Sequence, residues 1–223
     1  MSLFVLDNEL VFPPVDLAGP EGLLALGGDL QPERILLAYR QGIFPWYDQE
    51  PILWWCPDPR FVLFPGELRV SRSMQKLFRK KAFDFSINED FKAVIRQCKS
   101  VQREGQEGPW ITDAMEQAYI TLHEKGFAHS AEVWQQGQLV GGVYGIRLGR
   151  VFFGESMFSL VDNASKYAFI AYVQQILREG VQLVDCQVYT SHLESLGARM
   201  IPRKAFTGLL EQLIPQQEGP ASS

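Results

Sequence analysis

Apolar and polar residues alternate most regularly between Ser130 and Phe158. Ala131 to Trp134, Leu139 to Ile146 and Val151 to Phe158 read there as three strands of an antiparallel meander, with turns at Gln136-Gly137 and Leu148-Gly149. On either side the rhythm becomes helical. Pro32 to Gln41 opens with proline at its first helical position and stops at Gly42. Ser71 to Lys80 sets Met74, Leu77 and Phe78 against Arg72, Lys76, Arg79 and Lys80, and Glu89 to Lys99 sets Phe91, Val94, Ile95 and Cys98 against Lys92, Arg96 and Lys99. Thr112 is placed to cap a helix running to about Lys125, and Asn163 to cap one over Ala164 to Glu179. A strand over Leu183 to Val188, a short helix over Ser191 to Leu196, a strand around Met200 to Pro202 and a helix over Phe206 to Leu213 follow, before a frayed tail from Pro215.

The first stretch reads differently, being rich in Gly, Pro and aromatics. Ile52 to Cys56 and Phe61 to Phe64 look like two strands about the tight connection Pro57-Asp58-Pro59. A boundary is expected near Phe64-Pro65-Gly66. That divides the chain into a small N-terminal domain, 1–64, and a larger domain, 65–223, carrying the basic helices at 71–103. Helix, meander, long helix, strand, helix, strand is an α+β order in which helices pack on a mostly antiparallel sheet, the layout of GNAT-type acyltransferases. Fold analogy alone does not give a reaction.

Composition narrows the function classes. At 223 residues with 46% hydrophobic content the chain can build a full core. No apolar run reaches bilayer-spanning length and no leader-like segment opens the sequence, so a cytoplasmic protein without a membrane partner is expected. Cys56, Cys98 and Cys186 are scattered, and His123, His129 and His192 lack metal-site spacing, so neither a disulfide framework, a metal nor any cofactor is expected. The net charge of −5 hides an asymmetry: Arg69 to Arg103 holds ten Lys/Arg against three Asp/Glu, a local +7 that leaves −12 elsewhere. Two successive basic helix faces on an acidic chain point to a surface for nucleic-acid phosphates, through Arg72, Lys76, Arg79, Lys80, Lys92 and Arg96. Solvated surface helices are the plainer alternative.

Two strands carry candidate chemistry. In Phe152 to Phe158, alternation puts Phe153, Glu155 and Met157 on one face, and an acid in so apolar a strand suits a partly desolvated cleft that meets a cationic substrate; an edge Glu paired with Lys or Arg is the alternative. In Leu183 to Val188 the same spacing puts Asp185 and Gln187 together and Cys186 opposite, among valines. That makes Cys186 a core thiol, with a Cys186/His192 pair as the minority reading. Asp185 beside Gln187 suits a proton acceptor next to an orienting amide, or else a hydrogen-bonded cap on the sheet end.

Seven strings in order, Gly22 to Leu30, Gly42 to Trp46, Ile52 to Arg60, Gly154 to Phe158, Asn163 to Lys166, Asp185 to Gln187 and Ser195 to Ala198, resemble the leucyl/phenylalanyl-tRNA-protein transferase family. The resemblance runs from about Phe12 to Phe206. It implies transfer of Leu or Phe, and less well Met, from aminoacyl-tRNA to proteins with N-terminal Arg or Lys, marking them for N-degron degradation. It further implies Asp185 and Gln187 as the catalytic pair and Glu155 near the acceptor amine. Trp46, Tyr39 and Tyr119 fall near the terminal adenosine of the tRNA. Trp110, Val143, Phe152, Met157, Phe169 and Tyr172 form the aminoacyl side-chain pocket, with Val143 and Tyr172 departing from a familiar version of the pattern. An acyl-CoA N-acyltransferase would need a glycine-rich pyrophosphate loop where Ser159 to Ala164 stands, and a non-catalytic tRNA or peptide-binding module would need only the basic faces and the pocket.

Overall fold

The computed structural model describes residues 3–100 and 111–215; the loop expected at 104–109, Trp110 and all of the tail beyond Pro215 lie outside the described residues. Two sheets organise the chain. The smaller has the order β1 (Phe4–Leu6), β2 (Leu23–Gly27), β4 (Leu53–Trp55), β3 (Phe44–Pro45), with helix α1 (Pro32–Arg40) inserted after β2. The larger has seven strands in the order β11 (Arg199–Ile201), β5 (Arg60–Leu63), β10 (Leu183–Gln187), β9 (Val151–Ser159), β8 (Gln138–Leu148), β7 (Ala128–Gln135), β6 (Asp84–Ile87). Only β9 and β10 run parallel in it, so the expected α+β class with a mostly antiparallel sheet is what the chain forms.

Each helix begins for a local reason. Ser71 accepts from the Met74 amide to start α2 (Arg72–Arg79), and Thr112 accepts from the Met115 amide to start α4 (Asp113–Glu124). The long α5 (Ala164–Arg178) is entered differently: Asn163 sits at φ 68 with no side-chain cap bond, so it serves as the left-handed residue of a turn rather than as the expected cap. Helices α3 (Phe91–Ser100) and α4 pack on one face of the large sheet and α5 on the other, with α6 (Ser191–Ser195) and α7 (Arg203–Leu213) near the β10 and β11 end. Phe153 and Phe158 belong to the α3–α4 side core, whereas Phe152 and Met157 face the α5 side.

Strand β5 departs from the expected organisation. Ile52 to Cys56 and Phe61 to Phe64 are not a hairpin: β4 pairs with β2 and β3, while β5 pairs with β10 and β11 inside the large sheet. Residues 60–63, assigned to the N-terminal domain from sequence, therefore lie in the larger sheet. The proline-rich link that looked like a turn is the crossing between the sheets.

Candidate active site

One cavity of about 370 Å³ opens where the sheets meet. Phe44, Pro45 and Trp46 form its side from the small sheet, and β9, β10 and the start of α6 form the rest. Val143, Met157 and Phe169 line it together with Val184, Cys186, Val188 and Leu193, so most of its wall is apolar, while Glu155, Asp185 and Gln187 supply polar atoms.

Two bulges aim those groups. In β9, Tyr144 pairs with Ser156 and Gly145 with Gly154, leaving Glu155 as the extra residue. The strand changes face there, which corrects the expectation that Phe153, Glu155 and Met157 share one side. In β10, Asp185 lies opposite Val62 and Gln187 opposite Phe61, so Cys186 is the extra residue and Gln187 takes φ 62. Cys186 consequently lines the cavity instead of facing away from it. Burial, followed by the Asp185 charge, holds its thiol far above the usual range, and no hydrogen bond joins it to His192. It is a poor nucleophile.

Glu155 is enclosed by two tyrosines and an amide. Tyr39 of α1 reaches its Oε1 at 2.6 Å, Tyr119 of α4 its Oε2 at 2.9 Å, and the Gln187 Nε2 donates to Oε1 at 2.9 Å. The two phenol oxygens are themselves 2.7 Å apart. Three close contacts within a ring of three oxygen-bearing groups are filled by three protons, and the tyrosines supply two, an arrangement that favours a proton on Glu155 as the third. Burial drives its carboxyl up to about 7 against the pull of those hydrogen bonds, with the Asp185 charge adding to the rise. Burial and the neighbouring Glu155 likewise raise both tyrosines well above their ordinary values.

Asp185 has a different environment. Its two oxygens take the Nε and Nη2 of Arg60 at 2.8 and 2.7 Å, both side chains being fully buried, and its Oδ1 also accepts the Gln187 amide at 2.9 Å. Arg60 donates further to the Gly42 carbonyl at 3.0 Å and lies between the rings of Phe44 and Phe206, at 4.7 and 4.6 Å. Arg60 was missed from sequence, although a lone cation at the head of the apolar run Arg60-Phe61-Val62-Leu63 was a visible signal. It ties the small sheet, α7 and β10 to the residue that fixes Gln187.

Other expected site residues are sorted by burial. Trp46 stands at the cavity mouth, partly exposed, 5.8 Å from the Trp55 ring. Tyr39 and Tyr119 are wholly buried and offer no ring face to an adenine; they hold Glu155. Phe152 and Tyr172 lie behind the wall, edge to face at 4.9 Å. On the basic helices, Lys92 pairs with Glu124, Arg96 with Glu116, and Lys99 with Asp113 and Glu116. The α3 stripe is largely neutralised by α4. No ion pair is present among the described residues for Arg72, Lys76, Arg79 or Lys80 of α2 and its end. No described helix is long and apolar enough to cross a membrane.

The family described as Leucyl/phenylalanyl-tRNA protein transferase matches residues 62–211, and its N-terminal domain matches residues 28–58. A leucyl/phenylalanyl-tRNA–protein transferase of Syntrophus aciditrophicus is 57% identical over 217 residues, covering 96% of this chain and 90% of that protein. One of Flavobacterium johnsoniae is 56% identical over 210 residues, covering 94% and 99%. Among solved structures, a GCN5-related N-acetyltransferase from Kribbella flavida overlaps 75% of this chain and 59% of its own, with TM-score 0.40 and 12% identity. With more than half its residues identical to such relatives across nearly the whole length, the chain belongs to the leucyl/phenylalanyl-tRNA protein transferase family.

Proposed function

We propose that this chain transfers Leu or Phe, and Met less well, from aminoacyl-tRNA to the α-amine of proteins beginning with Arg or Lys, in the cytoplasm, as a mark for N-degron degradation. The observation that carries the chemistry is Glu155, a carboxyl titrating at about 7 on an apolar cavity. An aminoacyl ester is already activated, and an α-amine has a reference pKa near ~8, so the reaction requires alignment and removal of a proton. The acceptor reacts as the neutral amine, its first proton having gone to solvent. As its nitrogen bonds to the ester carbonyl carbon, Glu155 takes a second proton from it, the bond to the ribose oxygen breaks, and the proton held by Glu155 restores the hydroxyl of the leaving tRNA.

In this reading Asp185 is a positioning residue and Gln187 the group it positions. Both Asp185 oxygens are engaged by Arg60, its Oδ1 also holds the Gln187 backbone N–H, and the Gln187 side-chain Nε2 in turn aligns Glu155. The apolar wall of Val143, Met157 and Phe169 takes the donor side chain and excludes polar ones, whose hydrogen bonds would go unmade. Trp46 at the mouth meets the terminal adenosine. We divide the chain at the crossing just before Arg60 rather than at 64, a reading supported by the pairing of β5 with β10 and β11.

Phosphates of the acceptor stem fall to Arg72, Lys76, Arg79 and Lys80, which among the described residues lack acidic partners of the kind that occupy Lys92 and Arg96. Replacing Arg72, Lys76 and Arg79 by alanine is expected to weaken tRNA binding and to flatten its logarithmic salt dependence by about 0.7 to 0.9 for each phosphate no longer neutralised. Lys92→Ala with Arg96→Ala should leave that slope nearly intact, and equal slopes for the two variants would remove the distinction. The function itself is tested by incubating the protein with radiolabelled Leu-tRNA and an Arg-initiated peptide. Label appearing on the peptide supports the transfer, whereas binding without transfer leaves only a tRNA-binding module.

A further inference from the structure

The glycines of the central sheet divide into two kinds. A Cβ at Gly145 would stand 2.0 Å from the Phe153 carbonyl oxygen, at Gly141 2.6 Å from the Ala164 Cβ, and at Gly142 3.0 Å from the Ala131 carbonyl oxygen. Packing of the protein against itself demands glycine at Gly145 and Gly141 and leaves little room beside Gly142. Gly154 is different. A Cβ there would meet only the Asp185 carbonyl oxygen at 3.6 Å and Phe152 Cε1 at 3.8 Å, both ordinary contacts, and its backbone is not left-handed. Neither sterics nor backbone conformation requires a glycine, yet the residue lines the cavity beside Glu155, Val143, Met157 and Phe169.

We infer that Gly154 is a specificity-determining position, whose missing side chain leaves the cavity room for the bulk of the donor's aminoacyl group. The inference rests on the transfer function proposed above. A methyl group at this wall narrows the space shared with Val143 and Phe169, and the larger donor side chain meets the loss first. One carbon in an apolar pocket discriminates by roughly 10- to 200-fold. Gly154→Ala should therefore favour leucyl over phenylalanyl transfer.

The test measures kcat/KM of the wild-type chain and of Gly154→Ala with Leu-tRNA and Phe-tRNA, together with the thermal unfolding midpoint of each. The expected result is a Phe-to-Leu ratio lowered by about tenfold or more, with an unchanged or higher midpoint, since alanine restricts the unfolded chain more than glycine does. An unchanged ratio, whether both donors are unaffected or both fall equally, overturns the assignment. A lowered midpoint also overturns it, because the protein's own packing would then have needed the glycine. A wild-type chain that transfers neither residue breaks the function beneath the inference, and the inference falls with it.

Discussion

Replacing Glu155 by glutamine is expected to lower the rate of the transfer step by about 10²- to 10⁴-fold, the range for loss of one general base. Wild-type single-turnover rates, with donor and acceptor both bound, should show an inflection at about 7, because the active form is the carboxylate and burial holds its titration there, in addition to the rise toward ~8 set by the acceptor amine. The variant should keep the amine's rise and lose the inflection at about 7. A variant keeping both the rate and the inflection would take the proton-accepting role from Glu155.

The same titration reports on stability. A carboxyl raised from 4.5 to about 7 in the folded chain keeps its proton where the unfolded chain has lost it. Its stabilising contribution is complete below 4.5, declines as pH rises, and is gone above about 7. Between pH 4 and pH 8 the wild type should thus lose roughly 3 kcal/mol relative to Glu155→Gln, since each pH unit between those two titrations is worth about 1.4 kcal/mol. Comparing pairs of denaturation curves cancels whatever the altered hydrogen bonds contribute at every pH. A reactive carboxyl placed here is a cost in folding free energy that the cavity walls and the tyrosines offset.

Much of this arrangement was legible in the sequence because it rests on local chemistry. Period-two alternation is strong in Ala131 to Phe158, and Thr112 caps its helix as its position suggests. Non-local facts were not legible. Nothing local distinguishes a strand with one extra residue from a regular one, so the bulges at Glu155 and Cys186 reversed the faces assigned to Met157 and Cys186. Short strands such as Phe44–Pro45 and Phe4–Leu6 exist only through their partners. The basic stripe of α3 looked free because its counter-charges, Asp113, Glu116 and Glu124, lie on the next helix. Tyr39 and Tyr119, 80 positions apart, meet at one carboxyl, which no spacing rule links.

Arg60 and Asp185 give the second large effect. Removing either partner leaves the other buried and uncompensated, a loss of about 3 to 5 kcal/mol, enough to unfold many domains of this size. Arg60→Met and Asp185→Leu should each show that loss in chemical denaturation. The double variant should regain most of it, since apolar side chains of similar volume replace the pair and Phe44 and Phe206 already flank Arg60. Activity should not follow. Without the Asp185 Oδ1 the Gln187 amide loses its acceptor, and the φ of 62 that turns Gln187 toward Glu155 loses its anchor. The refolded double variant is therefore expected to bind aminoacyl-tRNA with near-normal affinity while its transfer step remains at least about tenfold slow, the effect of a misaligned group within a formed site. Arg60→Lys should fall between, keeping the charge but losing the two-pronged grip. Full turnover in the double variant would make the buried pair a fastening of the fold alone; recovered stability with slow transfer makes it the support of the chemistry.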